Sequence, residues 1–357
     1  MSGASRMTTN FDIIETGVAE LKSDFSNGSR VLATKALQSL HDSIEAPEHT
    51  SSDKEELWKT MRIGAYQLCE ARPSMSAAVT SALLQALSVV RKSARPPKQV
   101  LAEEIAKRQG TGQKIAQHFI ELIEHHVATT PRESGSPIRI LTLSLSSTLR
   151  QCLFNAIRTL RSLQFNIRIL ESRPNCEGAD FAVSLVKEFI TEVSNHRVTI
   201  EVGADAYMCF FAKDIDLLLL GADRISAEGD VSNKTGSFAS ALCVKALSPQ
   251  GKVVVVSDSD KIAAFDTEDL NSHESGPSEE VTSKWKADTK IAAEEQESDS
   301  ALVVHNTYFE WISASFIDFY STEQGSMNRD QIKQQSHEIQ KLKNDLFDAE
   351  IRSLARE

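Results

Sequence analysis

The chain has 357 residues, a globular composition with 41% hydrophobic and 25% charged residues, and a formal net charge of −11. That length can bury a large core in one large or two ordinary domains. The acidic balance gives no support for direct nucleic-acid binding or for binding an anionic membrane surface, and leaves only a local basic site open.

Cys69, Cys152, Cys176, Cys209 and Cys243 are odd in number and widely spaced, with no CxxC pair. They argue against a disulfide scaffold and a zinc site, and read as reduced thiols of an intracellular protein. The segment "MSGASRMTTNFDII" lacks the apolar core of a signal peptide, and no run approaches the roughly 18 apolar residues of a membrane span. A cytoplasmic location with no membrane partner is the expectation.

From about residue 10 to 127 the apolar spacing is helical. Leu57, Met61, Ala65 and Leu68 share one face, and Val79, Leu83, Leu87 and Val90 another, so two helices flank the turn "ARPSMS". Residues 1–130 are therefore expected to form a helical domain. His125 and His126 are neighbours on a helix, so their side chains diverge and no metal site is expected there.

At Pro137 the pattern changes. "IRILTLSL", "NIRILES", "RVTIEV", "IDLLLLGAD" and "KVVVVSDS" are short apolar runs separated by helix-length segments. Such runs indicate parallel strands buried on both faces, hence an α/β Rossmann-like domain over residues 131–328. Ligands of that architecture lie beyond the carboxyl ends of the strands, which directs attention to residues 144–148, 171–178, 221–236 and 257–261. Residues 266–300 are polar and acidic and read largely as a mobile surface insertion. In the tail, 329–357, Ile332, Ile339 and Leu346 recur every seven residues. Either a short coiled-coil-like helix or an amphipathic helix packed on its own domain fits that spacing.

Three stretches carry candidate chemistry. "SLSST" (Ser144, Ser146, Ser147 and Thr148 among its residues) leaves a strand and opens a helix, where backbone N–H groups and hydroxyls suit a phosphate, although Ser and Thr also cap any such helix. "GADRISAEGDVSNKTG" brings Asp223, Asn233, Lys234 and Gly236 ahead of another helix, a fit for a phosphorylated, hydroxyl-rich ligand. Arg72 and Arg173 each precede a proline, which holds them extended and offers guanidinium groups for bidentate phosphate contacts. No GxGxxG, Walker loop or HExxH occurs, so no cofactor is expected.

In this order, "ELWKTMRIGAYQLCEARPSMS", "ILTLSLSST", "ESRP", "LLLLGADRISAEGDVSNKTGSFASALCVKAL", "VVVVSDSDKI" and "YFEWISASFIDFYSTEQG" resemble a superfamily with two branches. One comprises the alpha, beta and delta regulatory subunits of translation initiation factor 2B. The other comprises aldose–ketose isomerases of methylthioribose 1-phosphate and ribose 1,5-bisphosphate. The resemblance runs from about residue 12 to 328 and implies a sheet domain of the NagB/RpiA/CoA-transferase-like kind. It also implies ligand contacts at Arg72, Arg173, Asn233, Lys234, Gly236 and the "SLSST" loop.

The branches differ where this chain is informative. The isomerases resembled here carry a catalytic Cys in an "ILTHCN"-like loop and a catalytic Asp in "GAD". The Asp is kept as Asp223, whereas the Cys position falls on Ser144, whose hydroxyl ionises far above the roughly 8.5 of a thiol. The isomerases' "RGA"-type stretch is likewise replaced by "FSNGSRVLATKALQSL", with Arg30 the nearest candidate to take its role. The expectation is a noncatalytic, regulatory-subunit-like protein that binds a sugar phosphate or nucleotide and assembles as a homodimer or with related subunits. The alternative is an isomerase in which Asp223 acts as acid/base and Ser144 orients the substrate.

Overall fold

A computed structural model describes residues 10–24, 27–44, 51–73, 76–133, 135–192, 197–265, 275–290 and 302–356. The first third is helical: α1 (Asn10–Ser23), α2 (Ser29–Asp42), α3 (Ser51–Cys69), α4 (Ser76–Lys92), α5 (Pro97–Gln109) and α6 (Thr111–Thr129). Strong helix formers explain α4, whose Ala78, Ala82, Leu83, Leu84 and Leu87 are all buried. With apolar residues on nearly every side, it is a central helix rather than a surface one. Pro97 opens α5 at its first turn, where a missing N–H costs nothing, and Gly110 separates it from α6.

The second part alternates strands and helices: β1 (Ile138–Leu143), α7 (Ser147–Thr159), β2 (Phe165–Leu170), α8 (Glu177–Glu192), β3 (Val198–Gly203), α9 (Met208–Phe211) and β4 (Leu217–Leu220). A small excursion, β5 (Arg224–Ile225) and β6 (Val231–Lys234), leads to α10 (Ser237–Leu247) and β7 (Lys252–Val256). Then follow α11 (Ser278–Thr282), β8 (Phe309–Ile312), β9 (Phe319–Thr322), β10 (Gly325–Met327), α12 (Arg329–Leu346) and α13 (Ala349–Leu354).

Among the described residues, seven strands form one sheet in the order β10-β9-β7-β4-β1-β2-β3, parallel except for β10. Ile138 pairs with Phe165 and Phe165 with Val198, so β1, β2 and β3 run in register. Alternate residues of β1, β4 and β7 enter different cores. Leu141, Leu143, Leu218, Leu220, Val253 and Val255 join a core continuous with α1 to α5, α10 and α12. Ile138, Ile140, Leu217, Leu219, Val254 and Val256 join a second core with α6, α7 and α8. Burial on both faces is why these strands read as unbroken apolar runs. The fold is therefore a mixed α/β one, with a helical region followed by a mainly parallel sheet between helical layers.

The chain returns from β3 to place β4 on the other side of β1, so the switch point of the sheet lies at the ends of β1 and β4. A second, antiparallel sheet of β5, β6 and β8 stands beside it, with Asn233 opposite Glu310 and Lys234 opposite Phe309.

Two expectations are refined. The heptad residues Ile332, Ile339 and Leu346 are buried against this chain's own core, α12 packs on α4, and Ser336 donates to the Ala263 carbonyl at 2.6 Å. An Asn328–Gln331 capping box starts that helix. Of the expected mobile insertion, residues 266–274 and 291–300 lie outside the described residues, but 275–290 pack as structure. Ser275 bridges Thr307, Gly276 N–H donates to the Asn306 carbonyl, and α11 follows Pro277.

Candidate functional site

The strand-end rule leads to a cleft of about 560 Å³ at the switch point. Its wall is assembled from the start of α2 (27–31), Arg72, the β1–α7 loop (143–148), Asn175 before α8 and Glu177 at its start, and Gly221 to Asp223 after β4. Asn233 and Lys234 of β6, Lys261 after β7, Glu280 of α11, Tyr308 and Phe309 complete it.

Local backbone chemistry shapes the β1–α7 loop. Ser144 has φ 61° and Ser172, after β2, φ 60°, left-handed conformations uncommon for residues other than glycine. The Ser144 N–H donates to Ser172 Oγ at 2.7 Å, which fixes the two strand-end turns to each other. Ser146 is the N-cap of α7, and its Oγ accepts from Leu149 N–H at 3.2 Å. The cap reading of "SLSST" thus holds for Ser146, yet Ser144, Ser146, Ser147 and Thr148 all face the same cleft. Gly221 lies where a Cβ would stand 3.3 Å from Asn233 Oδ1, a tight approach, and in ordinary contact with Ser146 Oγ at 3.8 Å.

Four cationic and three acidic side chains line the cleft. Arg30 crosses from α2 to the strand ends: its Nε donates to both Asp258 carboxylate oxygens at 3.0 Å, and its Nη2 reaches Thr148 Oγ1 at 3.2 Å. Arg72 Nη1 donates to the Asp24 carbonyl at 2.6 Å. Lys261 Nζ donates to the Ala222 carbonyl. Lys234, only 7% exposed, pairs with Glu177 Oε1 at 2.8 Å and lies 5.4 Å from the centre of the Tyr308 ring. The starts of α2 and α7 line the cleft and add the positive ends of two helix dipoles, so the cleft suits an anion in an otherwise acidic chain.

The cleft also carries acceptors. Glu280 receives hydrogen bonds from Tyr308 Oη at 2.7 Å and Asn306 Nδ2 at 2.8 Å. Burial works to raise its pKa, but those donors, Asn175 and the nearby Lys234 charge outweigh it and hold the carboxyl below its ordinary value. Asp223 lies at the end of β4, where its N–H donates to the Ser232 carbonyl at 2.8 Å. Asn233 Nδ2 donates to Ser237 Oγ at 2.9 Å, tying β6 to the start of α10.

Two expected site residues are placed elsewhere. Arg173 is exposed, with its Nε on Glu171 Oε1 at 2.9 Å and its backbone N–H on Asp205, and it does not line the cleft. Gly236, with φ 105°, is the N-cap of α10, and its N–H is taken by Glu310 Oε1 at 2.7 Å. The lining residues Glu177, Lys261, Tyr308 and Glu280 carried no individual signal in the sequence. The first two fall in stretches that the strand-end rule marks, whereas Glu280 lies within the acidic segment and Tyr308 follows it.

Among the described residues no cysteine lines the cleft. Cys152, the nearest in sequence to Ser144, is buried on α7, and burial pushes its thiol up to about 12. No group of three or more His, Cys, Asp or Glu among the described residues could hold a metal ion, and no described helix is long and apolar enough to cross a membrane.

The comparisons agree with this architecture. An eIF-2B subunit 2-like protein of Pyrococcus furiosus is 29% identical over 220 residues, covering 61% of this chain and 69% of the relative. A methylthioribose-1-phosphate isomerase of Pseudomonas aeruginosa is 28% identical over 226 residues, covering 60% of this chain and 56% of the relative. The match thus spans little more than half of that isomerase.

Among solved structures, the tetrameric eIF2B-beta2-delta2 complex from C. thermophilum contains a chain similar at TM-score 0.61 and 14% identity, over 91% of this chain and 94% of the other. The 5-methylthioribose 1-phosphate isomerase of Pyrococcus horikoshii OT3 is similar at TM-score 0.59 and 18% identity, over 94% and 88%. At those identities the likeness is one of fold. A family model described as the initiation factor 2 subunit family matches residues 26–329, most of the sequence. The chain belongs to the initiation factor 2 subunit family.

Proposed function

We propose that the chain is a noncatalytic, regulatory-subunit-like member of its family that binds a sugar phosphate or nucleotide in this cleft and acts through assembly with itself or with related subunits. The observation that carries this reading is that the cleft is lined by Ser144, the residue that the resemblance sets against the isomerases' thiol. Proton transfer at neutral pH needs a group with a pKa near the working pH, and a serine hydroxyl is far from it. The features that would bind a ligand are present: Arg30, Arg72, Asp223, Asn233, Lys234 and the hydroxyl loop all line the cleft. Assembly is supported by the likeness in fold to a chain of the tetrameric eIF2B-beta2-delta2 complex.

Calorimetric titration with ribose 1,5-bisphosphate, methylthioribose 1-phosphate and nucleoside monophosphates tests binding. Lys234→Met and Asp223→Asn should each weaken it by about tenfold or more, as expected for hydrogen bonds to charged groups. An isomerase rate on any of these sugars would overturn the reading. Asp223 favours the second reading, an isomerase acting on a ribose 1-phosphate derivative, because it lines the same cleft as Ser144. Ser144→Cys separates the two: it raises turnover if the rest of an isomerase site is intact, and leaves a binding protein without turnover.

A further inference from the structure

Two cysteines that the cleft does not use meet where α9 packs on α10. Cys209 lies on α9 and Cys243 on α10, 34 residues apart in sequence, and their sulfur atoms are 3.7 Å apart. Cys209 is exposed and Cys243 half-buried, so an oxidant in solution reaches the pair. The remaining thiols are differently placed. Cys69 and Cys152 are buried and their thiols are pushed up to about 12 by burial, which makes them inert. Cys176 is half-buried, with its sulfur 3.8 Å from the Pro174 carbonyl.

We propose that Cys209 and Cys243 form an oxidisable dithiol that hydrogen peroxide, or another peroxide, converts to an intrachain disulfide joining α9 to α10. A disulfide needs the sulfurs about 2.05 Å apart, so closure asks the two side chains to approach by less than 2 Å. The exposed Cys209 is the attacking thiol. Burial and the neighbouring Cys209 both push the Cys243 thiol upward, so Cys243 is not the first of the two to react with the peroxide.

In the first step the Cys209 thiolate attacks the peroxide O–O bond, takes one oxygen as a sulfenic acid and releases the other as water after protonation. The Cys243 sulfur then displaces that hydroxyl, forming the S–S bond and a second water. The two sulfurs together lose two electrons and two protons, and the peroxide gains them.

The placement gives the bond a structural consequence. Tyr207 and Phe210, beside Cys209, are 52% and 64% exposed, and Leu242 and Leu247, beside Cys243, are 42% and 40% exposed. The disulfide would hold the two halves of this apolar face in one fixed arrangement, on the helix that begins three residues after Lys234.

The test is peptide mapping of the full chain, kept dilute and treated with hydrogen peroxide, then alkylated and digested with trypsin without reduction. The expected product joins peptide 198–213, which holds Cys209, to peptide 235–245, which holds Cys243, two hydrogens lighter than their sum. Free thiols in the denatured chain fall from five to three. Cys176→Ser leaves the linkage unchanged, and Cys243→Ser abolishes it while leaving Cys209 trapped by a sulfenic-acid reagent such as dimedone. Recovery of Cys209 and Cys243 in alkylated form, or linkage of Cys209 to any other cysteine or to a second copy of the chain, would overturn the proposal.

Discussion

The Ser172 hydroxyl accepts a hydrogen bond from the Ser144 N–H at 2.7 Å while donating to the Leu170 carbonyl at 3.3 Å, and so locks the loop after β1 to the end of β2. Ser172 is buried, and its removal would leave the Ser144 N–H without this partner. Ser172→Ala should cost about 1–3 kcal/mol, the range for a buried group left unsatisfied. Urea denaturation checks this: the midpoint should fall while the slope stays constant.

Lys234 and Glu177 give a second prediction, which rests on the proposed binding role. The ammonium is neutralised by a carboxylate 2.8 Å away inside the cleft, and any ligand phosphate competes with that carboxylate. Glu177→Gln should therefore tighten binding of phosphorylated ligands several-fold, while Lys234→Met weakens it. Calorimetric titration of the two variants should show opposite changes in affinity.

Glu323 predicts a pH dependence of stability. Burial pushes its carboxyl above the ordinary 4.5, and the Ser259 N–H and hydroxyl that donate to it reverse only part of that shift. In the folded state the group holds its proton to higher pH than in the unfolded chain. Its contribution is fully present below pH 4.5 and declines as pH rises through the elevated folded value. Denaturation of the wild type and Glu323→Gln between pH 4 and 8 should show the wild type losing stability relative to the variant as pH rises.

The tail gives a fourth. Ile332, Ile339, Leu346, Phe347 and Ile351 are all buried in the core shared with α4. Ile339→Ala should destabilise the chain by about 2–5 kcal/mol. Removing residues 329–357 should collapse the thermal transition rather than merely alter the mass of the assembly, which differential scanning calorimetry will distinguish.

The parts of the fold legible in the sequence are those where one physical pattern dominates. β1, β4 and β7 are buried on both faces, so their Leu and Val runs stand out without any knowledge of neighbours. The small sheet does not stand out. Val231–Lys234 is mostly polar and becomes a strand through pairing with Phe309–Ile312, nearly eighty residues later. The heptad spacing of Ile332, Ile339 and Leu346 shows that one face is covered, but only the fold shows that α4 covers it.

The cleft divides in the same way. The rule that ligands gather at strand ends brings Ser144, Ser146, Ser147, Thr148, Asp223, Asn233 and Lys234 together from sequence alone. A following proline restrains the backbone of Arg173 but does not choose a partner for its guanidinium, which goes to Glu171. The Gly236 N–H likewise meets Glu310, and Glu280 enters the cleft through Tyr308 and Asn306, tertiary contacts with no local signature.

The most direct test of the central claim, a ligand site without the isomerase reaction, is one experiment with two readouts. The purified chain is incubated with ribose 1,5-bisphosphate and, separately, methylthioribose 1-phosphate, its thermal midpoint is recorded, and the sugar is followed by NMR. A ligand at a hundred times its dissociation constant should stabilise the fold by about 2.7 kcal/mol. The expected result is a raised midpoint with the aldose signals unchanged. Appearance of the ketose at a rate lost in Asp223→Asn would contradict the claim and make the chain an isomerase.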